Sequence, residues 1–169
     1  RETMLTGLPA LIGADSRVLV LGSFPGKASL AAQAYYGHPQ NHFWRILMDI
    51  LPVSAGLTKT SSYQKRSEWL LSQGVGLWDV YAACERDSSL DSDIRLAQPN
   101  DLTGLLRQCP HLKAILHNGG ESYKHYKRTQ SLGLPVHKLP STSPANASIP
   151  YARKLAAWRE VLGLYLEIT

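Results

Sequence analysis

Cysteine is scarce in this chain: Cys84 and Cys109 are the only two among 169 residues, and no CxxC pair occurs. A disulfide framework and a four-thiolate cluster are thereby excluded, and free thiols are expected. His38 and His42 stand four apart, but Pro39 interrupts them and no third ligand is near. That falls short of the ligand count zinc requires, so no metal is expected. No apolar run approaches the roughly 20 residues needed to cross a bilayer. The N-terminus also lacks the charged, apolar and small-residue order of a signal peptide, and a soluble, intracellular protein is expected. Repeats and low-complexity tracts are absent. Arg1, Glu2 and Thr3 precede Met4 and read as a tag remnant or the end of a trimmed extension.

What is present suits one compact unit. With 44% hydrophobic residues, 169 residues supply one well-buried core and are short for two, so one domain over residues 1–169 is expected. The net charge of +5 and the pI near 9.3 fit a polyanionic partner, although ordinary solubility explains them equally. Basic residues gather in Tyr123-Lys124-His125-Tyr126-Lys127-Arg128 and continue to Lys138, Arg153 and Lys154. The interleaved aromatics tilt this run slightly towards nucleic acid, against the plainer reading of a solvated helix face.

Short apolar runs ended by turn residues predict strands at residues 17–21, 75–80, 113–117 and 136–139. Helical patterns fill residues 42–51, 65–73, 101–108, 121–129 and 151–164. Alternating strands and helices imply a parallel sheet covered on both faces. Residues 82–100 are polar and irregular and predict a long surface loop. Three polar loops, at residues 22–29, 118–120 and 140–146, would then follow strand ends and open on one rim, where open α/β sheets bind ligands. A P-loop is excluded, because only three residues separate Gly22 from Gly26 and Ala28 stands where Ser or Thr would hold magnesium. The turn is not GxSxG either, and no catalytic triad is evident.

Three blocks, GSFPGKASLAAQAYYGHPQNHFWRIL, ILHNG and LPSTSPANA, resemble the uracil-DNA glycosylase superfamily, most closely its hypoxanthine (deoxyinosine) DNA glycosylase branch, family six. The segment LWDVYAACER and the following Ser89-Leu90-Asp91-Ser92 resemble that branch as well. The matching blocks run from about residue 17 to residue 147. The resemblance implies a three-layer α/β/α sandwich around a four-stranded parallel sheet. It also implies a monomeric, monofunctional base-excision enzyme without metal or cofactor, cytoplasmic or nucleoid-associated, acting on DNA that contains deaminated bases. Asn41 matches the catalytic asparagine of the PxNxFW pattern, Asn118 the asparagine that reads the base edge, and Tyr36 the aromatic that stacks on the extruded base. Ser141, Thr142, Ser143, Pro144, Ala145 and Asn146 match the loop that presses into the duplex, and Gly22, Ser23 and Phe24 the turn beside the base. Phe24 stands where relatives carry Asp or Asn, so that turn has no water-activating group and hypoxanthine is expected before uracil.

Elementary chemistry fits these roles. Breaking an N-glycosidic bond develops a cation-like sugar and an anionic base, so the enzyme must support the base, place a water and bring the nucleotide out of the stack. The Asn41 amide is no base, but it can orient water and face the cation; capping the following helix is the other reading. One amide at Asn118 accepts from the ring N–H and donates to the adjoining carbonyl of hypoxanthine or uracil, whereas adenine and cytosine reverse both partners. A plain turn residue is the alternative there. Tyr35 competes with Tyr36 for the stacking role, while Phe43 and Trp44 read as core. Small hydroxyls of residues 141–146 could hold phosphates while Pro144 and Ala145 wedge into the stack. Asp79, near a strand end, admits both an acid–base role and a structural cap. No amine nucleophile stands out for strand cleavage. A damage-binding module without excision activity and a nucleoside hydrolase are the rival functions.

Overall fold

The computed structural model describes residues 4–169; Arg1, Glu2 and Thr3, and their reading as a remnant, lie outside the described residues. In chain order the elements are β1 (Leu5–Thr6), β2 (Val18–Gly22), α1 (Lys27–Ala32), α2 (Phe43–Ile50), α3 (Tyr63–Ser72), β3 (Val75–Asp79) and β4 (Tyr81–Glu85). A 3-10 turn (Asp91–Asp93), β5 (Arg95–Pro99), α4 (Leu105–Gln108), β6 (Ala114–Asn118), α5 (Gly120–Tyr123), α6 (Tyr126–Gln130), β7 (Val136–Leu139) and α7 (Tyr151–Leu162) follow. The expected four-stranded parallel sheet is present, in the order β3-β2-β6-β7.

Strand periodicity explains the layers. Val18 and Val20 of β2 face one core with Leu77, Leu116 and the apolar stripes of α2, α3 and α7, including Phe43, Ile46, Leu47, Trp69 and Trp158. Leu19 and Leu21 face a second, smaller core with Ile115, Leu105, Cys109 and Leu112. Because both faces are covered, the central strands read as continuous apolar runs rather than as alternation. Each fully buried large side chain of these stripes contributes roughly 1.5–3 kcal/mol.

Two expectations need correction. Residues 82–100 are not one long loop: β4 and β5 pair antiparallel, with β1 on the other side of β4. This small sheet was illegible because β5 is largely exposed and register irregularities interrupt the ladder, erasing the period-two pattern. Residues 121–129 form two short helices rather than one, α5 and α6, with the backbone leaving helical geometry at His125. A further helix, α1, carries no strong periodic stripe in its six residues. Among the described residues no helix is long and apolar enough to cross a membrane.

His117 of β6 locks the second face. It is fully buried, its Nδ1 lies 2.7 Å from Ser122 Oγ and its Nε2 lies 2.8 Å from Thr129 Oγ1. Ser122 Oγ in turn donates to the Leu21 carbonyl at 2.8 Å and Thr129 Oγ1 to the Tyr126 carbonyl at 3.0 Å. Burial, then the neighbouring His125 charge, pushes the His117 pKa down to about 4 from an ordinary 6.5. The unfolded chain therefore binds this proton more readily than the native one. The stability contributed by neutral His117 is full above pH 6.5 and declines as pH falls towards 4, by about 3 kcal/mol at the end of that window. Urea denaturation from pH 8 to pH 4 is expected to show this loss, and His117→Gln to flatten it.

Candidate active site

The strand order reverses between β2 and β6, since the chain leaves β2 for β3 on one side and returns to β6 on the other. Loops leaving at such a point diverge and open a crevice. A cavity of ≈ 650 Å³ sits there, lined by all three predicted loops and by the tip of the β4–β5 hairpin.

Register arranges the floor. Asp79 pairs with Gly22 across β3 and β2, and Asn118 follows His117, which pairs with Leu21 across β6 and β2. Asp79, Gly22 and Asn118 thus stand in one row on one face, at the ends of three adjacent strands. The missing side chain at Gly22 is required: a Cβ there would stand 2.5 Å from Asp79 Oδ1 and 3.3 Å from Tyr36 Oη.

The predicted residues fall into groups. Asn41, Tyr36, Asn118, Gly22, Ser23, Phe24 and all six residues from Ser141 to Asn146 line the cavity. Asn41 Oδ1 accepts from Phe43 N–H at 2.9 Å, as a helix-entry cap does, leaving its second lone pair and its N–H groups unengaged by any described bond. The amide of Asn118, 9% exposed, meets Thr142 at both ends: Oδ1 accepts from Thr142 N–H and Nδ2 donates to Thr142 Oγ1, each at 3.0 Å. The backbone N–H fixes which end is oxygen, and one lone pair and one N–H remain for another partner.

Tyr35 and Tyr36 are separated by their hydroxyls. Tyr35 donates to the Pro9 carbonyl at 2.8 Å and is core. Tyr36 holds a left-handed backbone, φ 54°, unusual for an aromatic, and its ring stacks on Phe43 with centroids 4.3 Å apart. Its hydroxyl is buried, faces the Asn118 amide and closes no well-formed hydrogen bond. Burial, followed by the Asp79 charge, raises that phenol far above its ordinary value. Trp44 Nε1 donates to the Tyr35 carbonyl at 3.1 Å and so steadies this segment. Phe24 points its bulk into a third core with Val80, Tyr81 and Cys84, beneath the Arg86 guanidinium.

The loop after β7 is held from three sides. His42 N–H donates to the Thr142 carbonyl at 3.0 Å, Trp158 Nε1 to the Pro140 carbonyl at 3.0 Å, and Gly119, at φ +97°, lets Ser141 approach to where a Cβ would be 3.0 Å away. Ser141 and Ser143 turn their oxygens inward to accept backbone N–H groups of Ser143 and Ala145, while Ala145 stands exposed at the tip.

Sequence reasoning passed over the hairpin tip. Asp91 Oδ1 accepts from Ser23 Oγ at 2.5 Å, Ser89 Oγ accepts from Lys27 N–H at 2.9 Å, and Arg86 donates to the Pro25 carbonyl. These bonds tie the hairpin to the Gly22 turn, and the run Ser89-Leu90-Asp91-Ser92 was the available signal. Asp79, 4% exposed, leaves Oδ2 buried and unbonded. Burial, reinforced by Asp91 and opposed by Arg86, pushes its pKa up to about 7.

Lys138 of the basic stretch lines the cavity, but the run from Tyr123 to Arg128 is partly engaged elsewhere. Tyr123 and Tyr126 stack on each other, centroids 5.1 Å apart, Lys124 pairs with Glu121 at 2.9 Å, and Arg128 donates to the Asn100 carbonyl at 2.6 Å. A second groove adjoins the cavity at Asn41 and Pro144 and carries Arg45, Lys59, Arg66 and Lys154.

Comparison with known proteins matches this architecture. The family model described as the Uracil DNA glycosylase superfamily matches residues 9–162. Proteins named hypoxanthine DNA glycosylase from Methanosarcina barkeri and Methanosarcina acetivorans are similar to this chain. The first is 35% identical over 154 residues, 91% of this chain and 95% of the relative. The second is 33% identical over 155 residues, 92% and 96%. The solution NMR structure of a candidate uracil DNA glycosylase from Methanosarcina acetivorans superposes with a TM-score of 0.79 at 32% identity, covering 94% of this chain and 99% of that one. The switch-point cavity and these likenesses lead to one conclusion: the chain belongs to the Uracil DNA glycosylase superfamily.

Proposed function

We propose that this chain, as one domain and a monomer, hydrolyses the N-glycosidic bond of a deaminated base extruded from DNA, hypoxanthine first and uracil second, in base-excision repair. The observation that carries this reading is the meeting of Asn41, Tyr36 and Asn118 in one cavity at the switch point. The names of the two Methanosarcina relatives support hypoxanthine as the first substrate.

The extruded base lies against the free face of Tyr36, whose other face Phe43 backs; such stacking is worth on the order of 1–3 kcal/mol. Asn118 offers its remaining lone pair and N–H to the N–H and carbonyl of the base edge. Adenine leaves both unmatched, at roughly 1–3 kcal/mol per group. Asn41 Oδ1, held by Phe43 N–H, accepts from the attacking water on its second lone pair, and its dipole faces the cation-like sugar. Capping and catalysis are thus compatible in one residue. Pro144 and Ala145 fill the gap the nucleotide leaves, and the groove of Arg45, Lys59 and Arg66 follows the phosphate backbone.

Excision from labelled duplexes is the test. Asn41→Ala is expected to lose about 10²-fold or more in single-turnover release of hypoxanthine while losing only about 1 kcal/mol of stability from the cap. Asn118→Asp keeps the acceptor for Thr142 N–H but not the donor, and is expected to reduce excision with the loop intact by thermal unfolding. No base release from the parent protein, alongside tight salt-sensitive binding, would replace this reading with the damage-binding module. In a salt titration, Arg45→Ala and Lys59→Ala are expected to weaken binding to damaged and undamaged duplexes alike. Each is expected to lower the slope of log K against log salt by about one, whereas Lys124→Ala changes it less.

A further inference from the structure

The floor of the cavity contains a polar pair that the reading above leaves unused. Asp79 Oδ2 and Tyr36 Oη are both buried without a well-formed hydrogen bond. Both side chains converge on the bare Cα of Gly22, Asp79 Oδ1 and Tyr36 Oη lying 2.5 and 3.3 Å from the position a Cβ would take. Buried polar atoms are nearly always paired, and an orphan one in a cavity wall marks where a ligand completes the set. Among the described residues no cation hydrogen-bonds to Asp79. Arg86 spends its described bond on the Pro25 carbonyl, and the near charge from the hairpin is another carboxylate, Asp91.

Placement decides what would be met here. Asp79 ends β3 and Asn118 ends β6, on opposite sides of β2. A base lodged over Gly22 with its N–H and carbonyl towards Asn118 leaves the edge beside the carbonyl for Asp79. For a purine that edge carries the acceptor nitrogen of the five-membered ring, next to the carbonyl. For uracil it carries only a carbon-bound hydrogen.

Resting on the glycosylase reading, we infer that Asp79 is a second base-contacting catalytic residue, whose carboxyl O–H donates to the imidazole-ring nitrogen of the departing purine and so favours hypoxanthine over uracil. As the glycosidic C–N bond breaks, its electron pair leaves with the base and the Asp79 proton passes to that ring nitrogen. Water adds to the sugar carbon, and the proton it releases restores Asp79 through solvent. The products are neutral hypoxanthine and an abasic sugar. Donation strengthens as negative charge gathers on the base, the condition for lowering the barrier rather than only binding the ground state. A carboxyl raised to about 7 holds this proton near neutrality. The groups facing it are Asp91, which reinforces the shift, Arg86, which opposes it, and the phenols of Tyr35 and Tyr36, which stay un-ionised.

Single-turnover excision from hypoxanthine and uracil duplexes between pH 6 and pH 8.5 tests the assignment in the parent, Asp79→Asn and Asp79→Ala. Expected are a parent hypoxanthine rate that falls as pH rises through about 7, a loss of about 10²-fold in Asp79→Ala, and a flat profile in Asp79→Asn. Uracil release is expected to change by about threefold or less. Equal losses for both bases, or an unchanged hypoxanthine rate, would overturn the assignment while leaving the glycosylase standing. A parent that releases neither base would overturn both. Stability supplies a readout independent of turnover. A raised native pKa contributes stability that is full below the ordinary value near 3.8 and is lost as pH rises through about 7, so Asp79→Asn should melt higher than the parent at pH 8 and with it at pH 4. No gain at pH 8 would mean the carboxylate is already satisfied by the protein, and would remove the orphan on which the assignment stands.

Discussion

The parallel register of β2 with its two neighbours is the constraint on which the site depends. It sets Gly22 level with Asp79 on one side and brings Asn118 to the same row on the other. A slip of one residue along either ladder would turn one of these side chains to the opposite face, into the Leu19–Leu21 core or away from it. The register is in turn held by burial on both faces, because each residue from Val18 to Leu21 contributes to one of two cores that cannot exchange occupants. The geometry of the cavity floor is therefore set by ordinary apolar packing several residues away.

Polar groups then connect the rim to this frame. Thr142 carries the largest share: it engages both ends of the Asn118 amide and accepts from His42 N–H, joining the ends of β6 and β7 to the entry of α2. Asn41 sits one residue before His42, so movement of the loop after β7 is transmitted to it directly. The hairpin performs the same service for the turn after β2, through Ser23, Lys27 and Pro25. The cavity is consequently enclosed by segments that hold one another.

The site also concentrates features that cost stability. Tyr36 occupies a left-handed backbone region, Asp79 and Tyr36 bury polar atoms without complete partners, and Asp91 brings a second carboxylate nearby. None of these improves the fold, and natural chains retain such features where binding or chemistry needs them. His117 contrasts with them. It is equally buried but satisfied at both ring nitrogens, points to the opposite face, and serves packing alone.

The sequence by itself determined the parallel sheet, its four strands and the loops that line the rim, because buried strands and Gly- or Pro-bearing turns write their constraints into adjacent positions; Asn41, Tyr36 and Asn118, singled out by the resemblance of their motifs, line the cavity. The family was legible for the same reason, its motifs being contiguous blocks. Tertiary structure alone decided that β4 and β5 form a hairpin, since their exposed, irregular ladder leaves no period to read. It alone showed that Phe24 belongs to a third core, that the aromatics of the basic run stack on one another, and that Arg45, Lys59 and Arg66, outside the basic stretch, line the groove beside the cavity. The pairing of Asp79 with the Gly22 gap belongs there too: these residues lie 57 positions apart, and what makes the carboxyl chemically distinct is burial and the charge of Asp91, neither of which is a property of its local sequence.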